Sequence, residues 1–267
     1  MASDPVKIFI GSGEQSLLER KVLIFSLHKH TQRQLDIAVF NGTHNAIERD
    51  GQPPALAPLP LDLKYRNQTE FSLYRYLIPE LCGYQGRAIY LDSDMVCLAD
   101  IGGLFDLPMN ECDFLAKREY AERNGDPMWG LSAMLIDCAR TRFSLTEVFK
   151  EIDQGKYTYT EFSQMGKKFR ALHPYQIAEL DQSWNVFDRA DDGTRLIHYT
   201  NLFTQPWKYS GHPYGGIWFS YLREALEQGY VTDHDINLTI QRGFARRDLR
   251  AGTGSGRLIG LLKKLGA

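Results

Sequence analysis

The chain has 267 residues, of which 43% are hydrophobic and 24% are charged, and its formal net charge is −2. This length and composition favour a folded protein with a substantial core, and they exclude a disordered or fibrous chain. Because the charge is nearly balanced, nothing attracts the whole protein to nucleic acid, and we expect no such partner. The balance is uneven, since residues 241–267 carry seven Lys or Arg and one Asp.

The cysteines and the apolar runs predict a cytoplasmic protein. The cysteine spacing matches neither a metal site nor a secreted disulfide framework, so we expect reduced thiols at Cys82, Cys97, Cys112 and Cys138. The sequence has no run of about 18 apolar residues, so no membrane-spanning helix is predicted. The first residues lack the apolar core of a signal peptide. We therefore expect the cytoplasm, or a peripheral position on the cytoplasmic face of a membrane.

The first part of the chain predicts a strand, a helix and a second strand. The segment VKIFIGSGE is typical of a strand that ends in a glycine turn, residues 14–29 have apolar residues at helical spacing, and LDIAVFNG is a second strand. This order indicates a crossover connection and a parallel sheet. The proline-rich QPPALAPLPL then predicts an irregular connection, and TEFSLYRYLIPEL predicts a helix.

The later elements continue this alternation. Strands are predicted for RAIYLDSDMVCLADI, MWGLSAMLIDC and TRLIHYTN, and helices for TRFSLTEVFKEIDQG and IWFSYLREALEQG. We therefore predict an α/β fold with a mixed, mainly parallel, Rossmann-like sheet flanked by helices.

We expect one catalytic domain over residues 1–238 and a basic amphipathic tail over residues 239–267. Apolar residues between 258 and 265 can form one face of a short helix, with Lys263 and Lys264 beside it. Such a segment can lie on an anionic membrane surface, which predicts peripheral membrane contact. A tail that docks on the domain itself, or a disordered end, is the alternative.

The strongest motif is the pair of carboxylates in Asp92-Ser93-Asp94, which follows an apolar strand. Ligands of open α/β sheets bind at the carboxyl ends of the strands, and two carboxylates there can coordinate Mn²⁺ or Mg²⁺. Such an ion can bridge a diphosphate and stabilise it as a leaving group. His198 ends a later apolar strand, and imidazole is a common ligand for such ions. Without this context, the two aspartates would be ordinary solvated turn residues.

Two segments resemble the family-8 glycosyltransferases, which include glycogenin and the bacterial lipooligosaccharide galactosyltransferases. The first runs from TEFSLYRYLIPEL through GYQGR to YLDSDM and ADI, and the second contains HYTN and QPW. The matches span about residues 6–220. The resemblance implies a GT-A fold, Mn²⁺ or a similar ion, and a UDP-sugar donor, with UDP-glucose or UDP-galactose favoured. It also implies retaining transfer of the hexose to a saccharide or glycolipid acceptor, as in lipopolysaccharide or polysaccharide synthesis.

The resemblance further assigns individual residues. The metal ligands would be Asp92, Asp94 and His198, and the donor would be bound by Gly11, Ser12, Gly13, Arg75, Asp92, Ser93, Ser132, Gln205 and Lys208. Glycines let a backbone approach a base or ribose closely, and a guanidinium can bind phosphate or sugar hydroxyls. Many family members have a lysine where this chain has Gln205, so the positive charge near the diphosphate would come from Lys208 or from the basic tail. An ordinary turn, a surface arginine and a structural serine are the alternatives.

Two residue pairs compete for the position that faces the reacting sugar. The family usually has an Asp-Gln pair there, and Asp181-Gln182 matches it by residue type. However, the Trp184-Asn185 that follows resembles a separate family element that normally comes after that pair. The segment YTYTEFSQM offers Glu161 and Gln164 instead. Both pairs stay open at this point.

Two other functions are compatible with the motif. Haloacid dehalogenase-type phosphatases also use Asp-x-Asp, but there the pair normally follows the first strand and precedes a threonine. A module that binds nucleotide-sugar without catalysis is the second alternative, since the residue that acts at the sugar carbon is unassigned.

Overall fold

The computed structural model describes residues 4–59, 69–120 and 127–252. It confirms the predicted α/β class. The chain divides into two compact units. The first is drawn from Met1–Glu14, Gln32–Asp92 and Ile101–Asn185, and the second from Gln15–Thr31, Ser93–Asp100 and Val186–Ala267. The division therefore falls directly after Asp92, the first carboxylate of the motif.

The strands within the described residues are β1 (Val6–Ser12), β2 (Leu35–Asn41), β3 (Ala46–Arg49), β4 (Ala55–Leu56), β5 (Arg87–Asp92), β6 (Met95–Cys97), β7 (Phe114–Tyr120), β8 (Pro127–Asp137), β9 (Ile177–Glu179), β10 (Val186–Phe187) and β11 (Leu196–His198). The α-helices are α1 (Leu17–His30), α2 (Ile78–Leu81), α3 (Gly102–Phe105), α4 (Leu145–Asp153), α5 (Tyr159–Ser163), α6 (Lys167–Leu172), α7 (Gly215–Glu227), α8 (Asp233–Gln241) and α9 (Leu249–Gly252). Short 3₁₀ segments occur at Glu14–Ser16, Tyr74–Leu77 and Gln182–Trp184.

The first unit is built on an eight-stranded mixed sheet in the order β4-β3-β2-β1-β5-β8-β7-β9. Strand β1 pairs in parallel with both β2 and β5, and β9 pairs in parallel with β7. The other neighbours are antiparallel. The parallel pairing of β1 with β2, which are separated in sequence by α1, confirms the predicted strand–helix–strand unit. Because β1 and β5 are parallel neighbours, their carboxyl ends lie side by side, with Gly11 opposite Asp92.

The core of this unit lies between the sheet and helices α4, α5 and α6. Val148, Phe149, Phe162 and Phe169 project from these helices into one apolar cluster with strand residues such as Met134. Burial of large side chains of this kind stabilises a fold by about 1.5–3 kcal/mol each. The core fixes α5 against the sheet, which matters because Gln164 follows directly after that helix.

A break in the pairing of β7 with β8 shapes one end of the sheet. Ala116 pairs with Met134, but the next residue, Lys117, pairs with Gly130. The residues of β8 between these two positions have no β7 partner, so the ladder is open there. Such bulges re-aim side chains and often lie beside functional sites.

Two predicted elements are divided in the structure. The predicted helix TEFSLYRYLIPEL forms a 3₁₀ segment followed by the short α2. Pro79 explains the division, because proline has no N–H for a bond to the preceding turn and is tolerated only in the first turn of a helix. The predicted strand RAIYLDSDMVCLADI forms β5 and β6, which are separated by Ser93 and Asp94.

The second unit contains a three-stranded sheet in the order β10-β11-β6, and helices α1, α7 and α8. Its core includes residues such as Val22 of α1, Val96 of β6, Ile197 of β11 and Trp218 of α7. Strands β6 and β11 are antiparallel, with Met95 opposite His198.

The four cysteines are free thiols, with Cys97 and Cys138 buried. Among the described residues, no helix is long and apolar enough to cross a membrane. Helices α8 and α9 extend past residue 238, the predicted end of the catalytic domain, and Leu249 is buried in the second unit's core. The predicted amphipathic face and the charges of Lys263 and Lys264 lie outside the described residues.

Glu19 is a carboxyl group buried in the second unit. It lies on α1 with 4% of its surface exposed, and its Oε2 atom has no hydrogen-bond partner among the described residues. Burial is the main cause that raises the pKa of Glu19 to about 8, from an ordinary value of 4.5, and the charge of Asp94 adds to it. The protonated form is therefore favoured in the folded protein at neutral pH.

This shift predicts how stability depends on pH. Between pH 5 and 8 the unfolded chain loses the proton of Glu19 and the folded chain keeps it, so the free energy of unfolding falls as pH rises. The Glu19→Gln variant removes this penalty. We expect its melting temperature to equal that of the wild type near pH 5 and to exceed it by several degrees near pH 8. Calorimetry in EDTA across this range would measure the difference, and melting curves that differ equally at every pH would contradict the prediction.

Candidate active site

Asp92 is the last residue of β5 and is held by two neighbours in the first unit. Its Oδ1 accepts a hydrogen bond from the Tyr90 hydroxyl at 2.7 Å and lies 3.5 Å from Nη2 of Arg75. The side chain of Asp92 is 17% exposed. Tyr90 and Asp92 lie on the same face of the strand because side chains alternate along it. The sheet therefore supplies a fixed, partly buried carboxylate at its carboxyl end.

Arg75 is a buried cation in this unit. Its Nε donates to the carbonyl of Ser72 at 2.8 Å and its Nη1 donates to the carbonyl of Leu131, while the guanidinium lies 4.6 Å from the centre of the Tyr90 ring. Leu131 is one of the β8 residues without a β7 partner, so Arg75 satisfies a carbonyl that the open ladder leaves free. Burial opposes the charge, but Tyr90 and Asp92 outweigh it and raise the pKa of Arg75.

A cavity of about 220 Å³ lies in the first unit beside this network. Four residues predicted from the sequence line it, namely Arg75, Asp92, Ser132 and Gln164. The hydroxyl of Ser132 accepts a hydrogen bond from Nδ2 of the buried Asn185 at 3.0 Å. The carbonyl of Gln164 accepts from the backbone N–H of Trp129 at 3.0 Å. The structure thus brings residues from four separate segments to one concave, polar site.

Asp94 and His198 lie together in the second unit. The backbone carbonyl of Asp94 accepts from the N–H of Tyr199 at 3.0 Å, which extends the ladder of β6 and β11 by one bond. This pairing brings Oδ1 of Asp94 to 3.0 Å from Nε2 of His198. Oδ1 is buried and has no hydrogen bond among the described residues. A buried carboxylate oxygen and an imidazole nitrogen in this arrangement are suited to sharing a cation.

Gln205 holds the other oxygen of Asp94. Its Nε2 donates to Oδ2 of Asp94 at 3.0 Å and to the carbonyl of Tyr199 at 2.9 Å, and its Oε1 accepts from Nζ of Lys208 at 2.8 Å. Gln205 is 2% exposed. The amide of Gln205 therefore links the carboxylate of Asp94 to Lys208. Ser93, which precedes Asp94, is also buried in this unit.

The segment Gly11-Ser12-Gly13 ends β1 in the first unit. A Cβ atom on Gly11 would lie 2.2 Å from the Tyr90 hydroxyl oxygen, and one on Gly13 would lie 1.6 Å from Oε1 of Glu70. The rigid rings of Tyr90 and Phe71 leave no room for a side chain at Gly11, whereas the neighbour of Gly13 is the end of a flexible side chain. Ser12 is fully buried. Glu70, which also accepts hydrogen bonds from the Thr43 hydroxyl, places a carboxylate at this turn.

The other residues predicted for the reacting centre make hydrogen bonds away from the cavity. Oε2 of Glu161 accepts from the N–H of Lys168 at 3.0 Å, at the start of α6. Asp181 caps the 3₁₀ segment Gln182–Trp184 by accepting from the N–H of Ser183 at 2.9 Å. Gln182 is exposed and donates to Glu179 at 3.4 Å. None of the three lines the cavity that contains Gln164.

The sequence pattern gives no site role to three groups. Tyr90 lies in a predicted strand and holds Asp92, whereas Glu119 lies outside the predicted elements and lines the cavity. The burial of Glu19 was also missed, although a glutamate among the apolar positions of the predicted α1 was a signal for it. No sequence pattern marks Glu119, because its position depends on the changed register of β7 and β8.

No family model matches the chain. Among curated proteins, Protein CDI of Arabidopsis thaliana is 25% identical in an alignment of 231 residues that covers 80% of this chain and 80% of that protein. Solved structures with a similar fold include the galactosyltransferase LgtC in complex with donor and acceptor sugar analogues, with a TM-score of 0.62, 12% identity and coverage of 87% of this chain and 100% of that chain.

Two further structures share the fold. The bifunctional glycosyltransferase WbbM has a TM-score of 0.61 and 16% identity over 88% of this chain, and the glycosyltransferase GlyE of Streptococcus pneumoniae TIGR4 has 0.56 and 18% over 85%. The chain spans 51% of the WbbM chain and 64% of the GlyE chain. At these identities the likeness shows the fold, and it confirms the predicted GT-A glycosyltransferase fold.

The Gln205 network predicts a role in metal binding. The Gln205→Met variant keeps the side-chain length but removes both hydrogen bonds from the amide N–H groups, so the carboxylate of Asp94 is no longer oriented. Loss of an outer partner of a metal ligand typically weakens metal affinity about 10- to 100-fold. We expect a loss in this range for Mn²⁺ binding measured by calorimetry.

The matched control is Gln228→Met, the same replacement at an exposed glutamine just after α7. It should leave Mn²⁺ affinity within twofold of the wild type. Equal affinity in the Gln205→Met variant would show that this amide does not position a metal ligand.

Proposed function

We propose that the protein is a metal-dependent, retaining glycosyltransferase that moves a hexose from UDP-glucose or UDP-galactose to a hydroxyl of a saccharide or glycolipid. The observation that carries this proposal is the pairing of Asp94 Oδ1 with His198 Nε2 at 3.0 Å, where Asp94 lies two residues after the strand-end carboxylate of Asp92. It occurs on a GT-A glycosyltransferase fold. The fold favours glycosyl transfer as the reaction, and the side chains of Asp94 and His198 support a metal ion and a diphosphate donor.

The proposed metal ligands are Asp92, Asp94 and His198, with Mn²⁺ as the ion and Mg²⁺ as the alternative. Neighbouring ligands of an octahedral ion at about 2.1 Å lie about 3 Å apart, which fits the separation of the Asp94 and His198 atoms. The missing hydrogen bond at Oδ1 of Asp94 leaves its lone pairs available to a cation. A ligand set with one imidazole favours Mn²⁺ over Mg²⁺, which prefers oxygen.

An ion held by these three residues would act as a Lewis acid and would stabilise the negative charge that develops on the UDP leaving group. Lys208 would add a positive charge near the diphosphate of UDP. The Lys208 ammonium donates to Gln205, and Gln205 donates to Asp94, so this chain of hydrogen bonds holds Lys208 near a proposed metal ligand. The turn at Gly11, Ser12 and Gly13 would receive the uridine.

Arg75 would bind the donor from the first unit. Its bonds to Ser72, Leu131 and Asp92 use three of its five N–H groups; the other two have no acceptor among the described residues and would bind ribose or sugar hydroxyls. Ser132 would contact the donor sugar from the same cavity. Of the residues predicted at the reacting centre, we propose Gln164, because it lines this cavity, whereas Glu161, Asp181 and Gln182 are engaged in capping or surface contacts.

The metal and donor assignment is tested with the Asp94→Asn variant. The amide has nearly the same shape but no charge, so we expect Mn²⁺ affinity and UDP-hexose turnover to fall by at least 100-fold. A thermal-shift series of UDP, GDP and CDP, each with and without Mn²⁺, should show stabilisation of the wild type by UDP only when Mn²⁺ is present. The variant should lose that stabilisation.

Asp50→Asn is the control for this experiment, because Asp50 is an exposed turn residue of the first unit. It should behave as the wild type in both assays. Near-normal turnover of UDP-hexose by Asp94→Asn would reject the metal assignment. Metal-dependent UDP binding by a wild type that never hydrolyses or transfers a sugar would favour the non-catalytic binding module.

The tail is proposed to contact the cytoplasmic face of a membrane, where a glycolipid acceptor would lie. Removal of residues 253–267 deletes Arg257, Lys263 and Lys264 together with the predicted apolar face. We expect the intact protein to sediment with vesicles that contain anionic lipid and the truncated protein to stay in solution. Raised salt should release the intact protein, because the attraction is partly electrostatic. Equal partitioning of the two forms would contradict this role.

A further inference from the structure

The cavity of the first unit contains a carboxylate that has no role in the metal site proposed above. Glu119 lies on β7 and lines the same cavity as Arg75, Asp92 and Gln164. It belongs to neither of the residue pairs that the sequence suggests for the reacting centre. Its position on a strand, and not on a surface loop, fixes the backbone that carries it.

The position of Glu119 is linked to a glycine on the neighbouring strand. Gly130 of β8 pairs with Lys117, two residues before Glu119, so Lys117 and Glu119 lie on the same face of β7. A Cβ atom built on Gly130 would lie 2.5 Å from Oε1 of Glu119 and 3.7 Å from Cβ of Lys117. The Glu119 carboxylate therefore fills the space that a side chain at residue 130 would need.

The neighbours of Glu119 in the cavity are polar. Arg75, Asp92 and Gln164 line it together with Glu119. Trp129 pairs with Arg118, so its indole lies on the opposite face of the strands from Glu119 and packs in the apolar cluster of this unit. A cavity lined by a guanidinium, carboxylates and an amide suits a ligand that carries several hydroxyl groups.

We infer that Glu119 is a sugar-binding residue whose carboxylate accepts hydrogen bonds from hydroxyls of the donor hexose. A carboxylate can accept from two neighbouring hydroxyls at once, and such charge-assisted bonds are about twice as strong as neutral ones. This inference rests on the proposed function and extends it, because it names the group that reads the sugar rather than the diphosphate.

Substitution of Gly130 provides a second way to move the Glu119 carboxylate. In the Gly130→Ala variant, the new methyl group meets only the far end of the flexible Glu119 side chain at short range. The carboxylate must move, while the backbone can stay in place. Gly130→Ala should therefore reproduce the loss of Glu119 without removing any charged residue.

The experiment measures hydrolysis of UDP-glucose and UDP-galactose, and UDP affinity in Mn²⁺, for four variants: Glu119→Gln, Glu119→Ala, Gly130→Ala and the double variant Glu119→Ala/Gly130→Ala. Glu80→Gln is the matched control, because Glu80 is an exposed glutamate of α2 in the same unit and does not line the cavity. We expect Glu119→Ala to lower kcat/KM for the better donor about 10- to 100-fold, as expected for loss of one or two charge-assisted hydrogen bonds. UDP affinity should stay within twofold, and Glu80→Gln should behave as the wild type.

Non-additivity separates a sugar contact from a structural effect. Gly130→Ala alone should lower kcat/KM, but it should add nothing in the Glu119→Ala background, because the group that it displaces is gone. Multiplied losses in the double variant, a parallel loss of UDP affinity, or kcat/KM within twofold of the wild type in Glu119→Ala would each overturn the inference. Melting temperatures check that every variant folds.

Failure of the proposed function gives a different result. If the wild type itself shows no Mn²⁺-dependent UDP binding and no donor hydrolysis, both the function and the sugar contact are rejected. If the wild type hydrolyses the donor and Glu119→Ala does so equally, only the sugar contact is rejected.

Discussion

The pairing of two three-residue strands, β6 and β11, is the constraint on which the candidate metal site depends. It sets Met95 opposite His198, and one further bond, from the N–H of Tyr199 to the carbonyl of Asp94, fixes the residue that precedes β6. Strands this short have few ladder bonds of their own. They are held because Val96, Ile197 and Tyr199 are buried in the core of the second unit. Apolar packing thus places two polar side chains 3.0 Å apart, and Gln205 orients the carboxylate between them.

In the first unit, the irregular pairing of β7 with β8 allows a buried guanidinium to bind the backbone of the sheet. The register change between β7 and β8 frees the carbonyl of Leu131, and the buried guanidinium of Arg75 bonds it. A buried charge is costly unless it is paired and hydrogen-bonded. Arg75 meets both conditions through Ser72, Leu131 and Asp92, and among the described residues two of its N–H groups have no hydrogen-bond acceptor. The cavity therefore combines residues of the sheet with residues of the 3₁₀ segment and of α5.

Much of the fold follows from sequence pattern, and the failures have physical causes. Long apolar runs identify β1, β2, β5 and β8, because each is buried over most of its length. The helices α5 and α6 contribute only Phe162 and Phe169 to the fully buried core, too few positions to show a helical period. The division of the strand after Asp92 was not predicted, since apolar residues continue at Met95. Asp94 and His198 follow from strand-end placement. Glu119 does not, because its place in the cavity depends on the register of β7 and β8 and on the missing side chain at Gly130.

In the proposed site, Asp92, Asp94 and His198 hold one divalent ion that binds the diphosphate of a UDP-sugar. Anomalous diffraction at the manganese absorption edge, from crystals grown with UDP and Mn²⁺, tests this assignment most directly. We expect one strong anomalous peak about 2.1–2.3 Å from a carboxylate oxygen of each aspartate and from Nε2 of His198. Bound UDP without such a peak, or a manganese peak away from these residues, would contradict the assignment.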